Sequence, residues 1–315
     1  MNCERTKGLE RVLGWSLEYI LSQQRRDGSW VDWDLPPGES SIWTTAFVGC
    51  RLRGLPPGLR ERASVSTGLA SDWLDERMFP DSGWGYNEEV GSDADSTALA
   101  ILFLASEGKR VREASYACLQ SFQCTDGGFA TYRGHPDLGS WAVSHTDVTP
   151  AAVLAMMTKY GVAGETVDRG LQFVLNHKTP AGIWHPFWWT SFLYSTEISL
   201  LLLKAARLNM NLRGTRETLL DTCPQHPFES ALLVSSLLSL PRCPQDHDIW
   251  PLVVELIEDQ ASDGSWRSGP MLRVSRRDHL EAWKPGDPDQ LFSDQNHLFT
   301  TAMVIDALSR VYTFL

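Results

Sequence analysis

The sequence predicts an all-α protein, an (α/α)6 barrel (toroid) in which six helix-hairpin repeats supply an inner and an outer ring of helices. A short Gly-aromatic turn recurs five times, and each recurrence lies between a helical pattern with a charged side and one that is apolar almost all round. The 315 residues hold no run of alternating β-branched positions, so sheet is expected only as short turns.

The units follow one another along the chain. Leu9, Val12, Leu13, Leu17, Ile20 and Leu21 fall at helical spacing before the turn Gln24 to Trp30, and Ser40, Ser41, Thr44 and Thr45 open the next helix. Arg60, Glu61, Arg62 and Asp72 mark a solvated outer helix before the turn Asp81 to Gly85. Ser92-Asp93-Ala94-Asp95-Ser96-Thr97 then starts a stretch that is apolar through Ala105, and a helix with no polar face must be enclosed. The turns Gln123 to Phe129 and Pro180 to Trp184 precede helix starts at Ser144 to Asp147 and at Thr190-Ser191. A fifth unit without its aromatic is read at Thr218 to Leu240, where a weak helix ends near Pro224 and another begins at His226-Pro227-Phe228-Glu229. The turn Gln260 to Trp266 and the start Asp294 to His297 complete the sixth. A closed repeat array is one domain, 1–315, with a long insertion at about 267–291.

With 43% apolar residues, 13 Trp and 12 Phe, the chain can bury a large core. A net charge of −11 excludes a nucleic-acid surface, which needs a basic field. The N-terminal residues lack the apolar centre of a signal peptide and no run approaches a spanning helix, so a cytoplasmic protein is expected, with room for a peripheral membrane contact. Cys3, Cys50, Cys118, Cys124, Cys223 and Cys243 are scattered without a CxxC pair and read as free thiols.

Three segments resemble the class II terpene cyclases, the group of squalene-hopene cyclases, oxidosqualene cyclases and copalyl diphosphate synthases. They are the QxxxGxW turns at Gln24 to Trp30 and Gln260 to Trp266, the stretch Gly127 to Gly134, and Gly83-Trp84-Gly85-Tyr86-Asn87-Glu88 followed by Asp93-Ala94-Asp95-Ser96-Thr97-Ala98. The turns are shared by every (α/α)6 relative, including protein prenyltransferase β-subunits, whereas the last segment resembles the DxDDTA motif that carries the catalytic acid. Ser96 stands where that motif has its third Asp, a departure comparable to the DxDTT variants of drimane-type cyclases. The resemblance implies a cofactor-independent cyclase in which Asp95 protonates a terminal alkene of an isoprenoid. One barrel fits a C10–C20 prenyl diphosphate or a prenylated small molecule, and Mg2+ would enter only with a diphosphate. The protein would be a monomer, or a homodimer closing the mouth of the barrel.

Protonating a carbon–carbon double bond requires an acid that is protonated at rest yet yields its proton to a very weak base. Burial raises an Asp pKa, while hydrogen-bond donors and a helix N-terminus stabilise the anion left behind. Asp95 in a first helical turn receives both influences, with Asp93 as second carboxylate or cap; the same run of Asp, Ser and Thr is equally what a plain helix N-cap prefers. Asp147 is a second polar contact or another cap, and His145, His226 and His297 are candidates to bond Asp95 or to take the final proton, or are structural. Carbocations are stabilised by aromatic faces, so Trp43, Phe187, Trp188, Trp189, Tyr194, Phe228 and Phe292 are candidate walls, with core packing the competing role. Arg273, Arg276 and Arg277 of the insertion would hold a diphosphate or stand as a solvated basic loop.

Three rival readings arise. Asp221-Thr222-Cys223 with His297 imitates the zinc ligands of prenyltransferases, although Pro224 follows where a helix is needed and His297 comes about one helical turn early. A non-catalytic toroid binding an isoprenoid or a partner is the second. A glycosidase using Glu88, Asp93, Asp95 and Glu229 is the third.

Overall fold

A computed structural model of the chain describes residues 2–134, 136–241, 244–284 and 289–315. Cys243 and the side chain of Cys3 lie outside the described residues; Cys50, Cys118, Cys124 and Cys223 are free thiols. The helices are α1 (Asn2–Ser22), α2 (Ile42–Leu52), α3 (Pro57–Glu76), α4 (Ala94–Ser106), α5 (Glu113–Gln120), α6 (Thr149–Tyr160), α7 (Glu165–Asn176), α8 (Phe192–Ala205), α9 (Arg213–Leu220), α10 (Pro227–Ser239), α11 (Asp246–Glu258) and α12 (Leu298–Phe314). The even-numbered ones are buried along most of their length, and they pack on one another in chain order, α2 on α4, α4 on α6, α6 on α8, α8 on α10, α10 on α12 and α12 back on α2. Odd-numbered helices lean on this inner set, as α3 does on α2 and α4 and α1 on α12. Among the described residues, no helix is long and apolar enough to cross a membrane.

The recurring turns are tied down by one set of bonds. Trp30, Trp84, Trp184 and Trp266 each send Nε1–H to the carbonyl ten residues earlier, at Ile20, Leu74, Val174 and Leu256, at 2.6–2.8 Å. Their backbone N–H groups, and that of Phe129, donate to a Thr hydroxyl on the following inner helix, at Thr45, Thr97, Thr149, Thr196 and Thr301. The buried N–H groups of these turn aromatics are thereby answered, as burial demands. The turn glutamines reach the neighbouring unit: Gln24 donates to Ser66 O, Gln123 to Thr166 O, and Gln260 to Val12 O, which joins the last unit to the first. Gly264 has φ +91 and a Cβ there would meet Trp15 O at 2.5 Å, so only glycine fits.

The sheet content exceeds the expectation of bare turns. Strands β1 (Asp32–Leu35) and β2 (Gly38–Ser40) form one antiparallel ribbon, and β3 (Leu272–Val274) and β4 (Gln290–Phe292) another. β3 also bridges to Trp189, with Arg273 N–H donating to Trp188 O at 2.6 Å and Thr190 N–H to Met271 O at 3.0 Å. The insertion is therefore no free loop; it is laid across the segment that precedes α8.

Candidate active site

The N-terminal ends of α4 and α2, the loop before α8 and strand β3 enclose a pocket that is open to solvent. Asp93, Asp95 and Asp147 share it with Trp43, Tyr86, Tyr132, Trp188 and Trp189, roofed by Leu35, Leu272 and Arg273.

The two acids of the Asp-Ala-Asp segment have different surroundings. Asp93 is the N-cap of α4: its Oδ1 accepts from Ser96 N–H and its Oδ2 from the Ser96 hydroxyl, both at 2.7 Å. Burial pushes its pKa up to about 7 while those donors pull it down. Asp95, in the first turn, does not cap. Its Oδ2 accepts one bond, from Trp43 Nε1 at 2.6 Å, and its Oδ1 is buried without a hydrogen-bond partner. Burial, then the charge of Asp93, pushes Asp95 up to about 8, with Trp43 opposing. Carboxylates this close cannot all ionise, and the proton resides on the one with fewest donors, Asp95. Asp147 lies just before α6; its Oδ2 accepts from Phe187 N–H at 2.8 Å and Trp188 N–H at 2.7 Å, its Oδ1 is buried and unbonded, and burial raises its pKa to about 6.

The aromatic wall has two layers. Trp43 lies 6.2 Å from Trp189 and 6.1 Å from Tyr86, ring centre to ring centre. Trp188 donates from Nε1 to Thr131 Oγ1 at 2.7 Å, which fixes its plane. Behind Trp189 stand Tyr194, stacked at 4.0 Å, and Phe228 at 5.3 Å, so these two support the wall and do not line the pocket.

Other expected residues lie elsewhere. His145 stacks on Phe187 at 4.1 Å, has no bond to Asp95, and is driven down to about 3 by burial, so it is neutral and away from the acid. Its backbone N–H donates to Phe129 O at 3.0 Å and its ring packs on Phe187. His297 caps α12 in a left-handed conformation and His226 caps α10, both outside the pocket. Phe292 sits in β4, beyond the lining. Arg273 is largely buried in the pocket roof, 3.5 Å from Asp289, whereas Arg276 pairs with Asp278 and Arg277 lies over Trp141 at 4.9 Å. Of the rival constellations, Glu88 is held by Arg77 at the surface and Glu229 accepts from Gln225 N–H, so the four glycosidase acids do not gather. Among the described residues no group of three or more His, Cys, Asp or Glu side chains is arranged to hold a metal ion, and Asp221 and Cys223 lie in the turn after α9, with Cys223 exposed. Tyr86, Thr131 and Tyr132 belong to the site and were not singled out as site residues; their signal was present, since Tyr86 follows Gly85 and Thr131-Tyr132 follow Phe129 in the motif stretches.

No protein-family model matches the chain. The chain carries the fold of the type II terpene cyclases. A variant of the type II terpene cyclase MstE from Scytonema superposes with a TM-score of 0.88 at 22% identity, over 100% of both chains. A second MstE variant, in complex with geranylgeranyl dihydroxybenzoate as substrate, gives 0.84 at 23% identity over 99% of both. In sequence, the chain is similar to drimenyl diphosphate synthase of Streptomyces showdoensis, 26% identical over 285 residues, 82% of this chain and 50% of the relative. The chain thus spans about half the length of that curated relative. The group its motifs resemble, the class II terpene cyclases, is the group that both comparisons return.

Proposed function

We propose that the chain is a class II terpene cyclase built on a single (α/α)6 barrel domain spanning 1–315, with Asp95 as the acid that starts the reaction. The observation that carries this reading is the state of Asp95, a carboxyl raised to about 8 with one oxygen held by Trp43, the other unbonded, in a pocket walled by Trp and Tyr. The terminal alkene takes the carboxyl proton, so that a C–H bond forms, the O–H bond breaks, and a tertiary cation and a carboxylate result. The next alkene attacks that cation and the ring closes. Trp43 Nε1–H then faces a full anion, and a hydrogen bond to a charged acceptor is worth about twice a neutral one. Trp43, Tyr86, Trp188 and Trp189 offer the cation their ring faces without a nucleophilic lone pair from nitrogen. Asp147, raised only to about 6 and so anionic at pH 7, is the carboxylate available for the proton lost at the end. No cofactor enters these steps, and Mg2+ accompanies the substrate only if that substrate is a diphosphate.

The charges of the pocket favour a prenylated small molecule. With Asp95 neutral at rest, the anionic Asp147 and the partly ionised Asp93 face one cation, Arg273, which already stands beside Asp289, so a neutral or singly anionic head is accommodated better than a bare diphosphate. The second reading, a C10–C20 diphosphate with Mg2+, draws on the likeness to drimenyl diphosphate synthase. Product analysis after incubation with geranyl, farnesyl and geranylgeranyl diphosphates, squalene and prenylated aromatics separates them: a cyclised isomer from a prenylated aromatic supports the first, one from a diphosphate the second, and none from any of them removes the cyclase reading. Arg273→Gln is expected to raise KM about tenfold for a prenylated benzoate, the loss of one largely buried charge contact, and to leave a neutral prenyl phenol unaffected.

Trp43→Phe keeps a ring in the wall and removes the donor to Asp95. Turnover is expected to fall by about tenfold or more, the worth of a hydrogen bond to a charged group, and because the lost bond favoured the anion, the alkaline limb of the rate profile shifts to higher pH. A limb that stays in place would detach Trp43 from the acid's chemistry.

A further inference from the structure

At the C-terminal ends of the inner helices the ring opens into a second cavity, open to solvent, which shares no residue with the pocket holding Asp95. Its floor is a buried ion-pair cluster. Arg51 stands 3.1 Å from Asp306 and 3.5 Å from Glu197, and Arg310 2.9 Å from Asp306, so two guanidiniums meet two carboxylates and the cluster is neutral. Above it the wall is aliphatic, made by Leu102 of α4, Leu154 of α6, Leu201 of α8 and Leu238 of α10, all only partly covered. At the rim stand Arg53 and Lys204, neither of which forms an ion pair among the described residues. In a chain of net charge −11 this opening is an apolar funnel with two cations at its edge that meet no carboxylate among the described residues, Lys204 giving one bond to Leu238 O at 3.3 Å.

We propose that this funnel is a binding site for a single-chain anionic amphiphile, its alkyl chain on the leucine wall and its carboxylate or phosphate head between Arg53 and Lys204. An apolar chain entering the funnel gains about 25 cal/mol for each Å² of apolar surface removed from water. Charge complementarity supplies the choice of head: an ammonium head would meet like charge at the rim, and an uncharged head would leave both cations unanswered. Lys204 in the last turn of α8 and Arg53 at the end of α2 also offset the negative ends of their helices. That local role selects no ligand, and the probes below read the selection directly.

The test is isothermal titration of the full chain with dodecyl phosphate, dodecyltrimethylammonium and vesicles of anionic phospholipid, on wild type, Arg53→Glu/Lys204→Glu, Leu201→Trp and Arg273→Gln. Dodecyl phosphate is expected to bind one per chain, about tenfold or more weaker in the double charge reversal, whose two residues are exposed, with the thermal midpoint of the variant showing that the fold persists despite the changed helix-end charges. Leu201→Trp, which fills the funnel, abolishes that binding, and Arg273→Gln, whose charge lies in the other pocket, leaves it unchanged. The proposal is overturned if the ammonium probe binds equally well, if the double reversal has no effect, if Arg273→Gln abolishes binding, or if vesicles bind while free dodecyl phosphate does not. None of these readouts depends on turnover, so the site stands or falls apart from the cyclase reading.

Discussion

Asp95→Asn is expected to lower turnover by at least about 10³-fold, within the range that general acids contribute, because no other carboxyl of the pocket combines a raised pKa with so few hydrogen-bond donors. The fold survives the change. Asp93, not Asp95, caps α4, and an asparagine oxygen still accepts from Trp43 Nε1. The stability effect has a definite sign. The Asp95 pKa is about 8 in the fold, against about 4 for an unfolded Asp, so the folded state holds its proton more tightly. That contribution is complete below pH 4 and is lost as pH rises toward 8, a loss the neutral asparagine does not suffer. The variant therefore melts at or above the wild-type temperature, with a difference that grows from pH 5 to pH 8. The same ionisation removes the reactive acid, so wild-type turnover falls as pH rises through about 8. A variant that retains activity, or one that melts lower at pH 8, would remove Asp95 from the role of proton donor.

What the sequence disclosed about this site follows from distance along the chain. Asp93, Asp95 and the cap chemistry of α4 sit within a few residues of each other, and the adjacency of Trp188 and Trp189 to a helix start is likewise a local feature. Which of the two acids caps the helix was undecidable from composition, since Asp serves in either position; the Ser96 bonds decide it. The roof was beyond local reading. Leu272 and Arg273 reach the pocket because β3 pairs with residues about 80 positions earlier, at Trp188 to Thr190, and neither flank carries a strand signal strong enough to foretell that bridge. The choice between the two roles open to His145 was undecidable for a related reason: lying at a helix start is shared by groups that face the pocket and groups that face Phe187, and the direction is set by tertiary packing. The turn aromatics were legible because their Gly and Gln partners recur at fixed offsets, a repeated constraint that a single copy would not disclose.

Trp184→Ala is expected to lower the stability by about 3–5 kcal/mol, the cost of deleting a core aromatic. Trp184 is fully buried, and the residue joins two helices at once, its indole giving Nε1–H to Val174 O on α7 at 2.7 Å and its backbone N–H, which alanine and phenylalanine both keep, donating to Thr196 on α8. The turn beside it is held from α9, by Thr215 Oγ1 to Gly182 O and Thr218 Oγ1 to Ala181 O, both at 2.8 Å, so the surroundings are fixed from three sides and collapse poorly into the space left by the indole. A site that cannot relax lies at the upper part of that range. Trp184→Phe separates packing from bonding: it fills much of the volume, leaves Val174 O without its donor, and is expected to cost about 1–3 kcal/mol. Denaturant midpoints measure both. Trp184 lies outside the pocket, so at low temperature, where the variants remain folded, turnover per folded molecule stays at the wild-type level. This is the reverse of the pattern at Asp95, where the fold persists and the reaction is lost. An alanine variant with an unchanged midpoint would show that the recurring turns do not bind one unit to the next, and a Phe variant as damaged as Ala would move the whole effect from the ring to the Val174 bond.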